Sequence, residues 1–252
     1  MKIAILGLGV IGTTYAYAFQ KAGHQVEHVL RDSKKNTAPK ELSVDLLDGR
    51  YHSKGESKHD TYEVRVAEAN SEYDFIFLSV RHGFVKEAVE TLRKNNIKGT
   101  LVFFCNFWDT RKEVQEWAGD YDYIMAFPTA GGHMQEDHLD GVLFDHLMLE
   151  GEQKAHISNY ADLTALLTSA DLKWEVPMIQ LIVNAFVEKE KTGAVVEVLY
   201  ASSDHEKVKA KYEELTAQYP ENYLAIYDVP LDTDLNTLDH YPSVWIGKEE
   251  FE

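Results

Sequence analysis

Short apolar runs alternate with amphipathic stretches through the first half of the chain. Lys2 to Leu6 is apolar and stops at Gly7, the pattern of a strand buried on both faces of a parallel sheet. From Gly12 to Ala22 the residues Tyr15, Ala16, Phe19 and Ala22 recur at helical spacing, and Gly23 stands where a helix C′ residue would. His24 to Leu30 then reads as a second strand, which makes a βαβ unit. A polar stretch follows, punctuated by Pro39, Gly49 and Gly55, and within it Leu42, Leu46 and Leu47 predict an apolar helical segment. Alternation resumes at Tyr62, Val64 and Val66. Strands are predicted at Tyr73 to Val80, Leu101 to Cys105 and Tyr123 to Phe127, with helices at Phe84 to Lys94 and around Val114 to Trp117. This alternation predicts an α/β fold with a doubly wound parallel Rossmann sheet.

After Gly151 the pattern turns helical. Tyr160 to Ser169 carries Leu163, Leu166 and Leu167; a longer helix is predicted from Pro177, a residue suited to the first helical position; a third spans Lys207 to Tyr219. The tail from Pro220 receives no assignment. The sequence therefore divides into a Rossmann domain, residues 1–155, and a short, mainly helical second domain, residues 156–252.

Charge narrows the function. The 252 residues hold 25 Lys and Arg against 42 Asp and Glu, a net charge of −17 that repels nucleic-acid backbones and anionic lipid surfaces. A few cations gathered at one site can still hold a small phosphorylated ligand. The single cysteine, Cys105, sits among apolar residues and reads as a buried, inert thiol. No apolar run reaches the roughly 18 residues of a membrane span. The apolar start at Ile3 also lacks the longer apolar core and cleavage site of a secretory leader, so a cytoplasmic protein is expected.

The strongest chemical signal is Gly7-Leu8-Gly9-Val10-Ile11-Gly12, a GxGxxG sequence that follows a predicted strand and opens a predicted helix. Gly7 suits a tight turn, Gly9 lets backbone approach a pyrophosphate, and Gly12 lets the helix pack close to the strand. The helix N-terminus adds unpaired N–H groups and a positive dipole end. Cofactor type depends on the end of the second strand, which reads Val29-Leu30-Arg31. Arg31, with Lys34 and Lys35 nearby, favours the 2′-phosphate of NADP. Asp32 would favour NAD if the register moved by one.

With this unit, Arg31, a strand ending Ser79-Val80-Arg81 and Phe104-Cys105-Asn106 closing the next, the chain resembles the ketopantoate reductase family over about residues 1–150. The resemblance implies a Rossmann domain followed by a helical domain of the kind that often supports dimers. It also implies NADPH-dependent reduction of a 2-oxo acid to a 2-hydroxy acid. Gly7, Gly9, Gly12 and Arg31 match the family's cofactor positions, and Arg81 stands where a Lys is common. Asn106 matches an Asn that contacts cofactor and substrate. In the second domain Asn184 aligns with the family's substrate-binding Asn, which puts Gln180 where the family has its catalytic Lys. The later Ser, Asp and Thr-Glu segment of the family is not recognisable here, Ser202-Ser203-Asp204 being a faint echo.

Read without the family, Gln180, Asn184 and Glu188 form a polar stripe at i, i+4, i+8 of the helix predicted from Pro177, which either lines a cleft or faces solvent. Thr129 to His133 should lie at the carboxyl edge of the sheet, where His133 could replace the absent Lys as proton donor or be an ordinary loop residue. His133 and His138 lack a recognised metal-ligand pattern, so no metal is expected. Trp108, Trp117 and Trp174 read as packing residues. Two functions follow as expectations: an NADPH-dependent reductase of a small carbonyl substrate, or a catalytically silent protein that senses NADP(H).

Overall fold

The glycine-rich segment joins β1 (Lys2–Leu6) to α1 (Val10–Lys21), and α1 leads into β2 (Gln25–Val29), parallel to β1, and on to the single turn α2 (Asp32–Lys35). This comes from a computed structural model that describes residues 1–52, 54–104, 111–152, 155–187 and 194–230. Every residue of α1 from Gly12 to Phe19 is buried. A helix apolar on all sides needs cover on all sides, and two sheets supply it. The larger adds β5 (Glu72–Leu78), β6 (Lys98–Phe104), β7 (Tyr123–Phe127), β10 (His146–Leu149) and β11 (Lys173–Glu175), in the order β11-β10-β7-β6-β5-β1-β2. Five of its strands, from β7 to β2, pair in parallel, and β10 runs antiparallel to β7. Tyr15 and Phe19 of α1 pack on Phe104 and Phe77 of this sheet, with ring centroids 4.6 Å and 5.1 Å apart.

Helices cover both faces of the large sheet. α5 (Tyr160–Ser169) shares the core of α1, while α3 (Val85–Lys94) and α4 (Arg111–Ala118) pack on the opposite face through Val85, Val89, Leu92 and Val114. This is the doubly wound Rossmann arrangement expected from the alternation. The second sheet comprises β3 (Glu41–Asp48), β4 (Glu56–Glu63), β8 (Ala130–Gln135) and β9 (His138–Leu143) in the order β4-β3-β9-β8. The segment around Leu42 and Leu46 is thus a strand and not the predicted helix. Leu42, Val44, Leu46 and Asp48 point inward and the residues between them are less buried, a period of two. Thr129 to His133 likewise runs into a strand, where His133 pairs with Asp140.

The chain forms two compact units, Met1–Glu175 and Val176–Glu252, so α5 and β11 belong with the Rossmann sheet. The second unit corrects the expectation of a mainly helical domain. Its described residues form a three-stranded antiparallel sheet, β13 (Ala194–Ser202), β12 (Met178–Val187) and β14 (Tyr223–Pro230) in that order, with one helix, α6 (His205–Gln218). Met178 to Val187 is almost continuously apolar and rich in β-branched residues, which suits a central strand. α6 matches the predicted third helix, and its cap residue Asp204 accepts from the Lys207 backbone N–H at 3.2 Å. No helix among the described residues is long and apolar enough to cross a membrane.

Candidate dinucleotide site

Each glycine of the motif does a different job. Gly7 has φ +83°, in the left-handed region that glycine tolerates. A Cβ at Gly12 would lie 2.5 Å from Ser79 Oγ and 2.8 Å from Ile5 Cγ2, so this glycine lets α1 sit tightly on β1 and the end of β5. A Cβ at Gly9 would meet nothing within 4 Å. The helix packing needs no glycine at Gly9; open space lies over that turn. Gly9 is the N-cap of α1, has no side-chain cap bond, and no acidic residue occupies the first turn. The first intrahelical bond runs from Thr13 N–H to Gly9 C=O at 2.9 Å. The N–H groups of Val10, Ile11 and Gly12 precede it and lack an intrahelical acceptor, as at any helix start. The turn therefore offers donors and a positive dipole end without a competing carboxylate.

Strand β2 fixes this turn from both sides. Gly7 N–H donates to Val29 C=O at 2.9 Å, and the Gly7 carbonyl accepts from His28 Nδ1 at 2.6 Å. His28 is fully buried, and its Nε2 accepts from the Tyr62 hydroxyl at 2.7 Å. A carbonyl can only accept, so this pair of partners places the proton of the neutral ring on Nδ1. Burial holds the His28 pKa down to about 4 against the opposing pull of the Gly7 carbonyl. The ring stays neutral and pins the turn to β4.

Beside the turn lies a cavity of about 480 Å³, lined by Leu6, Gly7, Leu8, Val29, Leu30 and Arg31 at the carboxyl ends of β1 and β2. It sits where open α/β sheets bind ligands, and its size falls within the roughly 300 to 1,000 Å³ of small-molecule sites. Lys34, Phe84, Glu87 and Glu136 complete the parts that bear charge or aromatic area. The structure thus brings Gly7, Leu8 and Arg31 onto one cavity, with Gly9, Val10 and Ile11 on the adjoining turn. Asp32, the competing NAD-type residue, faces away from this role: it pairs with Lys35 at 2.8 Å and does not line the cavity. Arg81 caps the 3₁₀ turn His82–Phe84 after β5, also outside the lining. Asn106, with Cys105 and Trp108, lies outside the described residues.

Sequence reasoning missed three contributors. Phe84 is half exposed and Glu87 stands in the first turn of α3, but neither carries a motif. His28 left a faint signal, a polar residue inside an apolar strand.

In the second unit, Gln180 and Asn184 of the expected helical stripe lie on strand β12, and Glu188 lies outside the described residues. Gln180 Nε2 donates to Asp228 Oδ1 at 2.8 Å across the sheet. Asn184 is 1% exposed, donates to Glu197 Oε1 at 2.9 Å and accepts from Asn222 Nδ2 at 3.0 Å. Both ends of its amide are engaged within the unit. His133 does not line the cavity, and no cluster of three or more potential metal ligands occurs among the described residues.

Fold and site together define a Rossmann-type α/β domain with a glycine-rich turn open to a ligand. The chain belongs to the ketopantoate reductase PanE/ApbA family, whose match covers residues 3–160. Solved structures agree in fold. A probable 2-dehydropantoate 2-reductase from Bacillus subtilis is 18% identical with a TM-score of 0.53, over 69% of this chain and 58% of that one. A PanE/ApbA family ketopantoate reductase from Ralstonia eutropha gives 18% identity and a TM-score of 0.53, over 69% and 56%. A 2-dehydropantoate 2-reductase from Geobacter metallireducens gives 15% and 0.51, over 69% and 57%. The match spans little more than half the length of these proteins. No curated protein matches the sequence.

Proposed function

We propose that the protein is an NADPH-dependent oxidoreductase of the ketopantoate reductase type, reducing a small 2-oxo acid or related carbonyl to the hydroxy compound. The observation that carries this reading is the cavity that joins the Gly7-Leu8 turn to Arg31 and Lys34. The residues fit a dinucleotide: the open space over Gly9 admits a phosphate bridge, and the first-turn N–H groups of α1 supply its donors. Arg31 and Lys34 bind the 2′-phosphate, Arg31 through its planar fork. Phe84 offers a ring face to the adenine, and Arg81 adds positive charge at the end of β5. Asn106 is assigned to the nicotinamide side on the family resemblance. The cofactor, when bound, supplies the hydride.

The second reading, a catalytically silent NADP(H) sensor, is favoured by one observation. The amides of Gln180 and Asn184, the residues the resemblance aligns with the family's proton donor and substrate-binding Asn, are not acids, and both are engaged inside the second unit. Purified protein titrated with NADPH, then offered a panel of 2-oxo acids and aldehydes, separates the two. NADPH oxidation with any member supports the reductase; tight NADPH binding with no turnover supports the sensor; no binding of either dinucleotide overturns both. Homodimer formation belongs to this proposal and is tested by sedimentation with and without NADPH.

A further inference from the structure

The cavity is electrically balanced in a way that a site built for one phosphate would not need. Its lining carries two cations, Arg31 and Lys34, and two carboxylates, Glu87 and Glu136. Arg31 Nη2 lies 3.2 Å from Glu87 Oε1, so the guanidinium expected to take a 2′-phosphate is already paired across the cavity. We propose that Glu87 determines the cofactor specificity of the site, opposing Arg31 in the choice between 2′-phosphorylated and unphosphorylated dinucleotides. This inference rests on the dinucleotide reading above.

The physical case has three parts. First, the pair is breakable: the Arg31 and Glu87 side chains are 63% and 58% exposed, with a single close contact, and such pairs are weak. A ligand phosphate, with more charge and more acceptor oxygens than a carboxylate, can take Arg31 away. Second, Glu87 does not leave with the pair. It sits in the first turn of α3, where the helix dipole favours its charge. Ala88 and Thr91, from the same helix, also line the cavity. A phosphate on Arg31 therefore meets a negative charge from the same cavity wall. Third, a ribose hydroxyl has the opposite preference, because it donates to a carboxylate, the chemistry an acidic residue after β2 serves in NAD sites. In this chain Asp32, one position past Arg31, pairs with Lys35 instead. Glu87 supplies the acidic group from a different element. The site thus carries one determinant for each cofactor, and wild-type protein prefers NADPH over NADH only modestly.

The test is a binding measurement. NADPH and NADH are titrated separately into the full chain as wild type, Glu87→Gln, Glu136→Gln, Arg31→Ala and the Arg31→Ala/Glu87→Gln double variant, following nicotinamide fluorescence. All three residues are exposed, so melting temperatures without dinucleotide should stay unchanged and serve as the folding control. Glu87→Gln is expected to tighten NADPH and weaken NADH, moving the ratio of their Kd values toward NADPH by about threefold or more. Glu136→Gln removes the same charge from the same cavity without touching the Arg31 pair, and is expected to move the ratio less. In the Arg31→Ala background the Glu87 substitution should lose most of its effect on NADPH. An unchanged ratio in Glu87→Gln, or an equal change in Glu136→Gln, overturns the inference while leaving the cofactor reading intact if Arg31→Ala still weakens NADPH. Should Arg31→Ala leave NADPH affinity untouched, the NADP assignment itself fails, and this inference with it.

Discussion

His28 Nδ1 donates to the Gly7 carbonyl at 2.6 Å, so a buried imidazole in β2 holds the first glycine of the candidate ligand turn. Its pKa near 4 lies below the ordinary histidine value of 6.5. The unfolded chain therefore binds a proton that the folded chain refuses between those values. Stability should be full above about pH 6.5 and fall by roughly 3 kcal/mol as pH drops toward 4. Denaturant unfolding of wild type and His28→Gln at pH 7.5, 6, 5 and 4.5 checks this. A wild-type profile parallel to that of the variant would show that His28 does not supply the slope.

The two neighbouring glycines should respond differently to the same methyl group. Gly12→Ala places a Cβ against Ser79 and Ile5, and is expected to cost about 1 to 3 kcal/mol of folding stability. Gly9→Ala meets open space and should change stability by less than about 1 kcal/mol. It should nonetheless weaken NADPH binding, because the added group projects where the backbone must approach a phosphate. Chemical denaturation and dinucleotide titration of both variants resolve the contrast.

Asp48 anchors the β3–β4 hairpin from inside. Its side chain is fully buried, bonded to Arg50 at 2.8 Å and to Lys58 at 2.6 Å, while Arg50 Nη1 donates to the Ala170 carbonyl at the end of α5 at 2.6 Å. Burial by itself would raise the Asp48 pKa; the hydrogen bonds from Arg50 and Lys58 bring it down to about 2. This contribution is present above the unfolded value of 3.8 and is lost as pH falls through 2. Asp48→Asn strands the nearly buried Arg50, and a loss of about 3 kcal/mol or more is expected in urea unfolding at pH 7.

In the second unit, Asn184→Ala should destabilise by about 1 to 3 kcal/mol, since it leaves Glu197 and Asn222 without their partner on β12. Gln180→Ala removes only a partly exposed cross-strand bond to Asp228 and should cost less than about 1 kcal/mol. Thermal and urea unfolding of the two variants tests the order. A larger loss for Gln180→Ala would contradict this account of the sheet.

The chain by itself determined the features that depend on a few neighbouring residues. The βαβ unit, the assignment of Gly7, Gly9 and Gly12, and helices α3, α5 and α6 follow from apolar period and from a missing Cβ. Tertiary structure alone decided the elements whose pattern is ambiguous. A spacing of four, as in Leu42 and Leu46 or Gln180 and Asn184, is close to one helical turn and is also two strand repeats. Such residues share a face in either conformation. The choice fell to available partners: β9 for β3, and β13 and β14 for β12. The same holds for His28 and Glu87. Little local marks them beyond the polarity of His28 in an apolar strand, because their roles come from a carbonyl 21 positions away and from an arginine on another element. Only folding brings those groups within hydrogen-bonding distance.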